Sequence, residues 1–350
     1  MPMKMLILGA SYGSLLSTKL LMAGHDATLV CRAPTAELIN SQGTILRMAL
    51  RDGAGLREIR SEGQPGRLDA VTPEAARPED YDLVGLAMQE PQYSAPAVRD
   101  LVARVAASGR PCLSIMNMPP PPYLRRIPGL PVADLDDCYN DASVWEGFLP
   151  DAVTLCSPDP QAFRPPDEPK NVLQVGLATN FKAAVFADPQ HTALLRRLED
   201  DILAVRLDGE DVPVKLRVFD SLFVPMAKWS MLLTGNYRCI LPDGVRSIRD
   251  AVLGDPEVSR GVYDWVDALA RRLGAEAADQ VPFEKYASAA SALVRPSSAA
   301  RAIAGGATAI ERVDRLVRQI GARLDLRNAT VDEVVKTVDA RLEANRRAQA

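Results

Sequence analysis

Residues 4–32 read KMLILGASYGSLLSTKLLMAGHDATLVCR, and the apolar spacing changes twice within them. Lys4–Leu8 is an apolar run of strand length, after which Leu15, Leu16, Leu20 and Leu21 recur at helical spacing. Gly24 closes the helix, and residues 27–31 (ATLVC) read as a second strand. Two strands joined by such a helix pair in parallel, because parallel pairing needs a crossover. The turn between the first strand and the helix, GASYGS, contains Gly9, Ser11, Tyr12 and Gly13.

Further strands are expected at residues 67–70, 82–87 (DLVGLA) and 112–116 (CLSIM), with a helix over 94–107. Residues 43–60 alternate apolar and charged side chains around Asp52, Gly53 and Gly55, which predicts a hairpin inserted in the sheet domain. Pro119 to Pro122 break the chain, residues 141–169 are rich in Pro and Asp, and residues 171–178 read as a late strand with a helix after Pro189. From about residue 212 the pattern is helix after helix: 219–234, 256–273, 283–293, 298–320 and 331–343. The expectation is an α/β chain. A Rossmann-type dinucleotide-binding domain spans 1–210, and an all-helical domain spans 211–350.

Composition excludes several classes. With 350 residues, 47% hydrophobic and 25% charged, the chain is not a disordered one. Its 41 Lys and Arg against 45 Asp and Glu give a net charge of −4, which offers no field for a phosphate backbone, so no nucleic-acid partner is expected. No stretch approaches the roughly 20 apolar residues of a membrane span. The apolar strand follows the initiator with no cationic leader, so a cytoplasmic protein is expected. Five cysteines without a CxxC pair argue for reduced thiols, and two histidines are too few for common metal clusters, so no metal is expected. An enzyme of this composition would draw its proton from a side chain other than histidine.

A strand, a glycine-rich turn and a helix N-terminus together suit a pyrophosphate, since glycines admit the backbone and the helix end presents free N–H groups. The match to GxGxxG is imperfect, because Ser11 stands for the second glycine and Gly13 comes one position early for the third. The competing reading is that Gly9 and Gly13 merely permit tight packing. An NAD site places a carboxylate at the end of the second strand, but that end here is Cys31-Arg32. Arg32 would suit a 2′-phosphate, which predicts NADP as cofactor; the alternative is a solvated surface arginine.

Lys228 and Asn236, in KWSMLLTGN, are eight residues apart on an expected helix, about two turns. They fall roughly on one face, and the apolar run around Lys228 would partly desolvate its ammonium and ease proton donation near neutrality. A snorkelling lysine is the equal alternative.

Taken together, these features resemble the ketopantoate reductase family, within the 6-phosphogluconate dehydrogenase-like proteins, over nearly the whole chain. The family begins MKIxxLGxGxxG, has GH before the second strand and Arg after it; this chain has MKMLILGASYG, Gly24-His25 and Arg32. The family's NGxG segment falls at Asn117-Met118-Pro119, and its KxxxNxxxNP helix at Lys228 and Asn236, with Leu232 for the first asparagine and Tyr237 for the proline. Its paired serines and GRxTEID segment fall near Pro296-Ser297-Ser298 and residues 305–314. The resemblance implies Asn117 at the cofactor and Lys228 as general acid. It also implies Asn236 and Ser298 as substrate ligands, and Glu311 as a carboxylate holding Lys228 or a substrate hydroxyl. A solvated helix charge is the other reading of Glu311.

One departure stands out: the family's lysine after the fourth strand is missing from Leu86-Ala87-Met88-Gln89. With Leu232 and Met118, this implies a more apolar pocket and a carbonyl substrate other than ketopantoate, such as a bulkier 2-oxo acid or ketone. The leading expectation is an NADPH-dependent reductase, an NADP-dependent oxidoreductase acting on CH-OH/C=O, with its site in a cleft between the domains and a homodimer implied by the resemblance. The alternatives are a catalytically decayed NADP-binding sensor and an opine or hydroxy-acid dehydrogenase.

Overall fold

The computed structural model describes residues 2–50 and 55–349. The chain forms two compact units, one comprising the chain through Met88 with Gln92–Arg126 and Ser143–Asp220, the other Gln89–Pro91, Ile127–Ala142 and the chain from Ser221 onward.

The first unit is α/β. Its chain order is β1 (Lys4–Leu8), α1 (Tyr12–Met22), β2 (Asp26–Val30), α2 (Ala33–Gln42), β3 (Ile45–Ala49), β4 (Leu56–Arg60), β5 (Leu68–Val71) and β6 (Leu83–Leu86). Then come α3 (Pro96–Ser108), β7 (Cys112–Ile115), α4 (Pro121–Leu124), β8 (Val153–Ser157), β9 (Gln161–Phe163), β10 (Val172–Leu177) and β11 (Phe181–Ala184). It ends with α5 (Pro189–Ala204), the short ladder β12 (Arg206–Leu207) with β13 (Glu210–Asp211), and β14 (Leu216–Phe219).

Eight strands form the main sheet in the order β14-β11-β8-β7-β6-β1-β2-β5, parallel except where β11 runs against β8. Strands buried on both faces read as continuous apolar runs, which is why KMLIL and LVGL were legible. Leu6, Ile7 and Leu8 are at most 1% exposed, and burying each such side chain stabilises the fold by roughly 1.5–3 kcal/mol. Strand order reverses between β1 and β6. Ligands of open parallel sheets bind at the carboxyl ends of the strands at such a point.

The expected hairpin forms from β3 and β4, its turn residues Asp52 and Gly53 lying outside the described residues. It does not join the main sheet. With β10 and β9 it builds a second sheet, β4-β3-β10-β9, whose alternation buries Leu46, Met48, Ile59, Leu173 and Val175.

The second unit carries α6 (Lys228–Met231), the ladder β15 (Ile240–Leu241) with β16 (Gly244–Val245), α7 (Ile248–Leu253), α8 (Pro256–Arg272) and α9 (Phe283–Ala290). It closes with α10 (Ser298–Ala304), α11 (Val313–Arg323) and α12 (Ala329–Gln349). Two expected helices are corrected. Residues 219–234 are not one helix: Leu216 and Val218 alternate as buried strand residues of β14, and helical structure begins only at Pro225, whose fixed φ suits a first helical turn. Residues 298–320 divide into α10 and α11 because Gly305 ends the first helix and Gly306 turns the chain at φ +88°.

Lys19 is the unexpected residue of α1. It is 1% exposed, its Nζ donates to the Pro213 carbonyl at 2.8 Å, and burial, with Lys215 nearby and Asp211 opposing, brings its pKa down to about 7. The unfolded chain therefore binds a proton that the folded one rejects between about pH 7 and 10.5, so this residue costs stability most below pH 7 and least above 10.5. Thermal melts of Lys19→Met are expected to show its melting temperature, relative to wild type, falling steadily as pH rises from 7 to 10; a constant difference would exclude the buried ammonium.

Candidate active site

The turn after β1 sits at the point where strand order reverses. Gly9 adopts φ +105°, and a Cβ there would lie 2.7 Å from the Ala87 carbonyl oxygen and 2.6 Å from Met88 Cγ, so only glycine fits both the backbone and the close approach of the chain leaving β6. A Cβ on Gly13 would meet Ile7 Cγ2 at 2.9 Å and Leu29 Cδ2 at 3.2 Å, so its absence seats α1 against the sheet. Both glycines thus have packing reasons.

What distinguishes the turn from a packing device is its helix end. Ser11 is exposed and does not cap α1 with its side chain, and the first turn holds no acidic residue. Such a helix end favours an anion. Tyr12 is half-buried beside Ser11. At the end of β2, Arg32 starts α2 with an exposed side chain, and its guanidinium has no hydrogen-bond or ion-pair partner among the described residues. The acid of β2 itself, Asp26, stands at the opposite end of that strand, where its Oδ1 accepts from the Arg67 N–H at 2.9 Å. Asn117 follows β7, half-buried, at the same edge of the sheet as Gly9.

In the second unit, Lys228 opens α6, which widens over 232–236 into a π-helical turn and ends at Cys239. Eight residues of α-helix overshoot two turns by ~80°. A turn closed i→i+5 holds more residues and offsets that overshoot, so Asn236 falls back toward the face of Lys228. Both side chains are half-buried. The Asn236 carbonyl accepts from Ser297 Oγ at 2.7 Å, and Ser297 also caps α10 by accepting from the Ala300 N–H. Ser298 is exposed as the first residue of α10.

The Tyr237 hydroxyl donates to the Glu311 carbonyl at 2.5 Å and accepts from the Val313 N–H at 3.1 Å, fixing residues 311–313 against that helix. Burial raises the phenol well above its ordinary range. Glu311 is buried and precedes α11, so it is not a solvated helix charge. Its neighbour Arg312 points elsewhere, forking onto Asp314 at 3.0 and 2.9 Å and reaching Asp339.

Glu90, 2% exposed, stands in the same unit. Its Oε1 accepts from the Asn140 N–H at 3.0 Å, while its Oε2 has no hydrogen-bond partner among the described residues. Burial first, then the charges of Glu311 and Asp141, raise its pKa to about 7 against the bonds from Asn140 and Asp141. At neutral pH a fraction of the Glu90 carboxyls keep their proton and can donate a hydrogen bond, as a carboxylate cannot.

Sequence comparison with protein-family models and with curated proteins gives no match. Solved structures do match. A D-mandelate dehydrogenase solved with NADH and anilino(oxo)acetate aligns over 98% of this chain and 100% of its own, at TM-score 0.66 and 14% identity. A ketopantoate reductase from Ralstonia eutropha JMP134 covers 98% and 100% at TM-score 0.63 and 16% identity. A dimeric ketopantoate reductase from Staphylococcus aureus covers 98% and 99% at TM-score 0.62 and 12% identity. This chain has the ketopantoate reductase fold.

Within that fold, the first unit gathers Gly9, Ser11, Tyr12, Gly13, Arg32 and Asn117 at the carboxyl edge of one sheet. The second unit contains Lys228, Asn236, Ser298 and Glu311. Met118 and Leu232, which stand where the family pattern has a glycine and an asparagine, are 0% and 5% exposed and serve as core. Sequence reasoning stopped at the missing lysine near Ala87 and passed over Glu90, three residues on. Its signal was available: a lone acid directly before Pro91 at the end of a central strand segment.

The unfolded Glu90 carboxyl titrates near 4.5 and the folded one near 7, so the native state holds the extra proton and loses relative stability as pH rises through that window. Glu90→Gln removes the titration. Its stability relative to wild type is expected to rise from pH 4.5 to 8, approaching about 3 kcal/mol more at the upper end in chemical denaturation. A pH-independent difference would show that folding leaves the Glu90 carboxyl at its ordinary acidity.

Proposed function

We propose that this protein belongs to the ketopantoate reductase family and is an NADPH-dependent reductase of a 2-oxo acid or related ketone. The observation that carries the reading is the Gly9–Gly13 turn with its uncapped helix end, placed where the strand order of a full-length 2-oxo-acid-reductase fold reverses. Arg32, a cation without a carboxylate beside it at the end of β2, supports NADPH over NADH.

The residues present fit such a cofactor. Gly9, Ser11, Tyr12 and Gly13 would hold its pyrophosphate, Arg32 its ribose phosphate, and Asn117 would stand beside the dinucleotide. When bound, it supplies the hydride that reduces the carbonyl carbon. Lys228 then gives a proton to the carbonyl oxygen as negative charge builds there, and Asn236 and Ser298 hold polar groups of the substrate. Glu311 orients Lys228 or a substrate hydroxyl. The lysine missing from Leu86-Ala87-Met88-Gln89 supports a substrate other than ketopantoate. The dimeric reductase of the same fold supports a homodimer, and among the described residues no helix is long and apolar enough to cross a membrane; we infer a cytoplasmic enzyme.

The test is loss of NADPH absorbance with a panel of 2-oxo acids that includes ketopantoate and the 2-oxo acid of mandelate. One panel member is expected to turn over, and Lys228→Ala to lower kcat with it by roughly 10²- to 10⁴-fold. Turnover of Lys228→Ala within tenfold of wild type would remove the general-acid assignment, and tight NADPH binding without any turnover would favour a regulatory NADP sensor.

A further inference from the structure

Arg164 reaches the glycine-rich turn from a distant part of the sequence. Its Nη2 donates to the Ala10 carbonyl at 2.8 Å, so a half-buried guanidinium lies against the loop between β1 and α1. It is also close enough to Cys31 to oppose the upward push that burial gives that thiol, which places it near the end of β2 one residue before Arg32. The two ends it stands near, those of β1 and β2, are where a dinucleotide's pyrophosphate and adenosine ribose lie in this class of fold.

The cation is unbalanced. Several other basic side chains nearby have carboxylates: Arg47 of β3 pairs with Glu58 and Glu168, Arg60 of β4 with Glu58, and Lys182 of β11 with Asp159 at 3.0 Å. Arg164 has no carboxylate within ion-pair distance among the described residues, and Ala10 satisfies one of its N–H groups. Burial holds it below its ordinary value, yet a guanidinium stays charged at any ordinary pH. Half-burying a charge without a counter-ion is costly, and an incoming anion relieves that cost.

Its placement is also built in. β9 ends at Phe163, paired with Gln174 of β10, and Pro165-Pro166 follow Arg164 directly. A residue before proline is confined to extended backbone, so Arg164 leaves the sheet in one direction. An arginine held in this way loses little freedom on binding, and its planar fork suits two oxygens of a phosphate.

We propose that Arg164 is a second cationic contact for the ribose 2′-phosphate, closing from the inserted sheet a clamp whose other arm is Arg32. The proposal rests on the NADPH reading above and deepens it. Specificity for the 2′-phosphate then comes from two elements, the end of β2 and the β9–β10 insert.

Titration calorimetry of wild type, Arg164→Ala, Arg164→Lys and Arg32→Ala with NADPH, NADH, 2′,5′-ADP and 5′-AMP tests it, with circular dichroism melts to verify folding. Arg164→Ala is expected to weaken NADPH and 2′,5′-ADP by about tenfold or more while changing NADH and 5′-AMP by less than about threefold, with Arg164→Lys between. Equal loss for the phosphorylated and unphosphorylated ligands, or no loss for any, would overturn the clamp while leaving the dinucleotide reading intact. Failure of wild type to bind any of the four would overturn both. Should Arg164→Ala melt early, the same comparison in Arg164→Lys decides.

Discussion

The approach of the end of β1 to the chain leaving β6 is the constraint from which the first unit follows. Gly9 must carry a positive φ with the Ala87 carbonyl where a side chain would be, so the two central strands stay adjacent through their last residues. Gly13 then lets α1 rest on Ile7 and Leu29, and β2 returns in parallel on the far side of β1. An uncapped helix end is left at the reversal of strand order, with Arg32 at the neighbouring strand end. Helix dipole and an unpaired cation act on the same sign of charge.

The second unit handles polarity in the opposite way. Several of its buried polar groups are tied together: Tyr237 bridges the Glu311 carbonyl and the Val313 amide, Ser297 joins the Asn236 carbonyl to the start of α10, and Arg312 is held by Asp314 and Asp339. These bonds hold residues 305–312 out of helix and set Glu311 in the interior. Against that background Glu90 is conspicuous, because burial beside another carboxylate raises its pKa to about 7 and leaves an oxygen over. Groups tuned in this way are suited to moving protons.

The βαβ opening was legible because its information is local: apolar period, two glycines and a strand end lie within residues 4–32. The strands at β6 and β7 were legible for the same reason, being continuous apolar runs in a doubly covered sheet. Helix continuity was harder. The spacing of 298–320 is helical on both sides of Gly305-Gly306, and only the glycine pair marks the break. The π turn at 232–236 left no mark in an apolar run. The site was legible only where its residues sit at strand ends or on one helix. Arg164 touches Ala10 from 154 residues away through an inserted sheet, and Glu90 owes its raised pKa to burial and then to Glu311, which no local pattern brings to it.

The central claim is that the turn at Gly9 receives a dinucleotide. Amide hydrogen exchange read by mass spectrometry with and without saturating NADPH tests this most directly. The account predicts slowed exchange in peptides containing residues 9–16 and 31–36, and in those around Asn117 and Arg164, with the helices from α7 onward unchanged. No protection at residues 9–16 under saturating NADPH would contradict it, since the glycines would then serve packing alone.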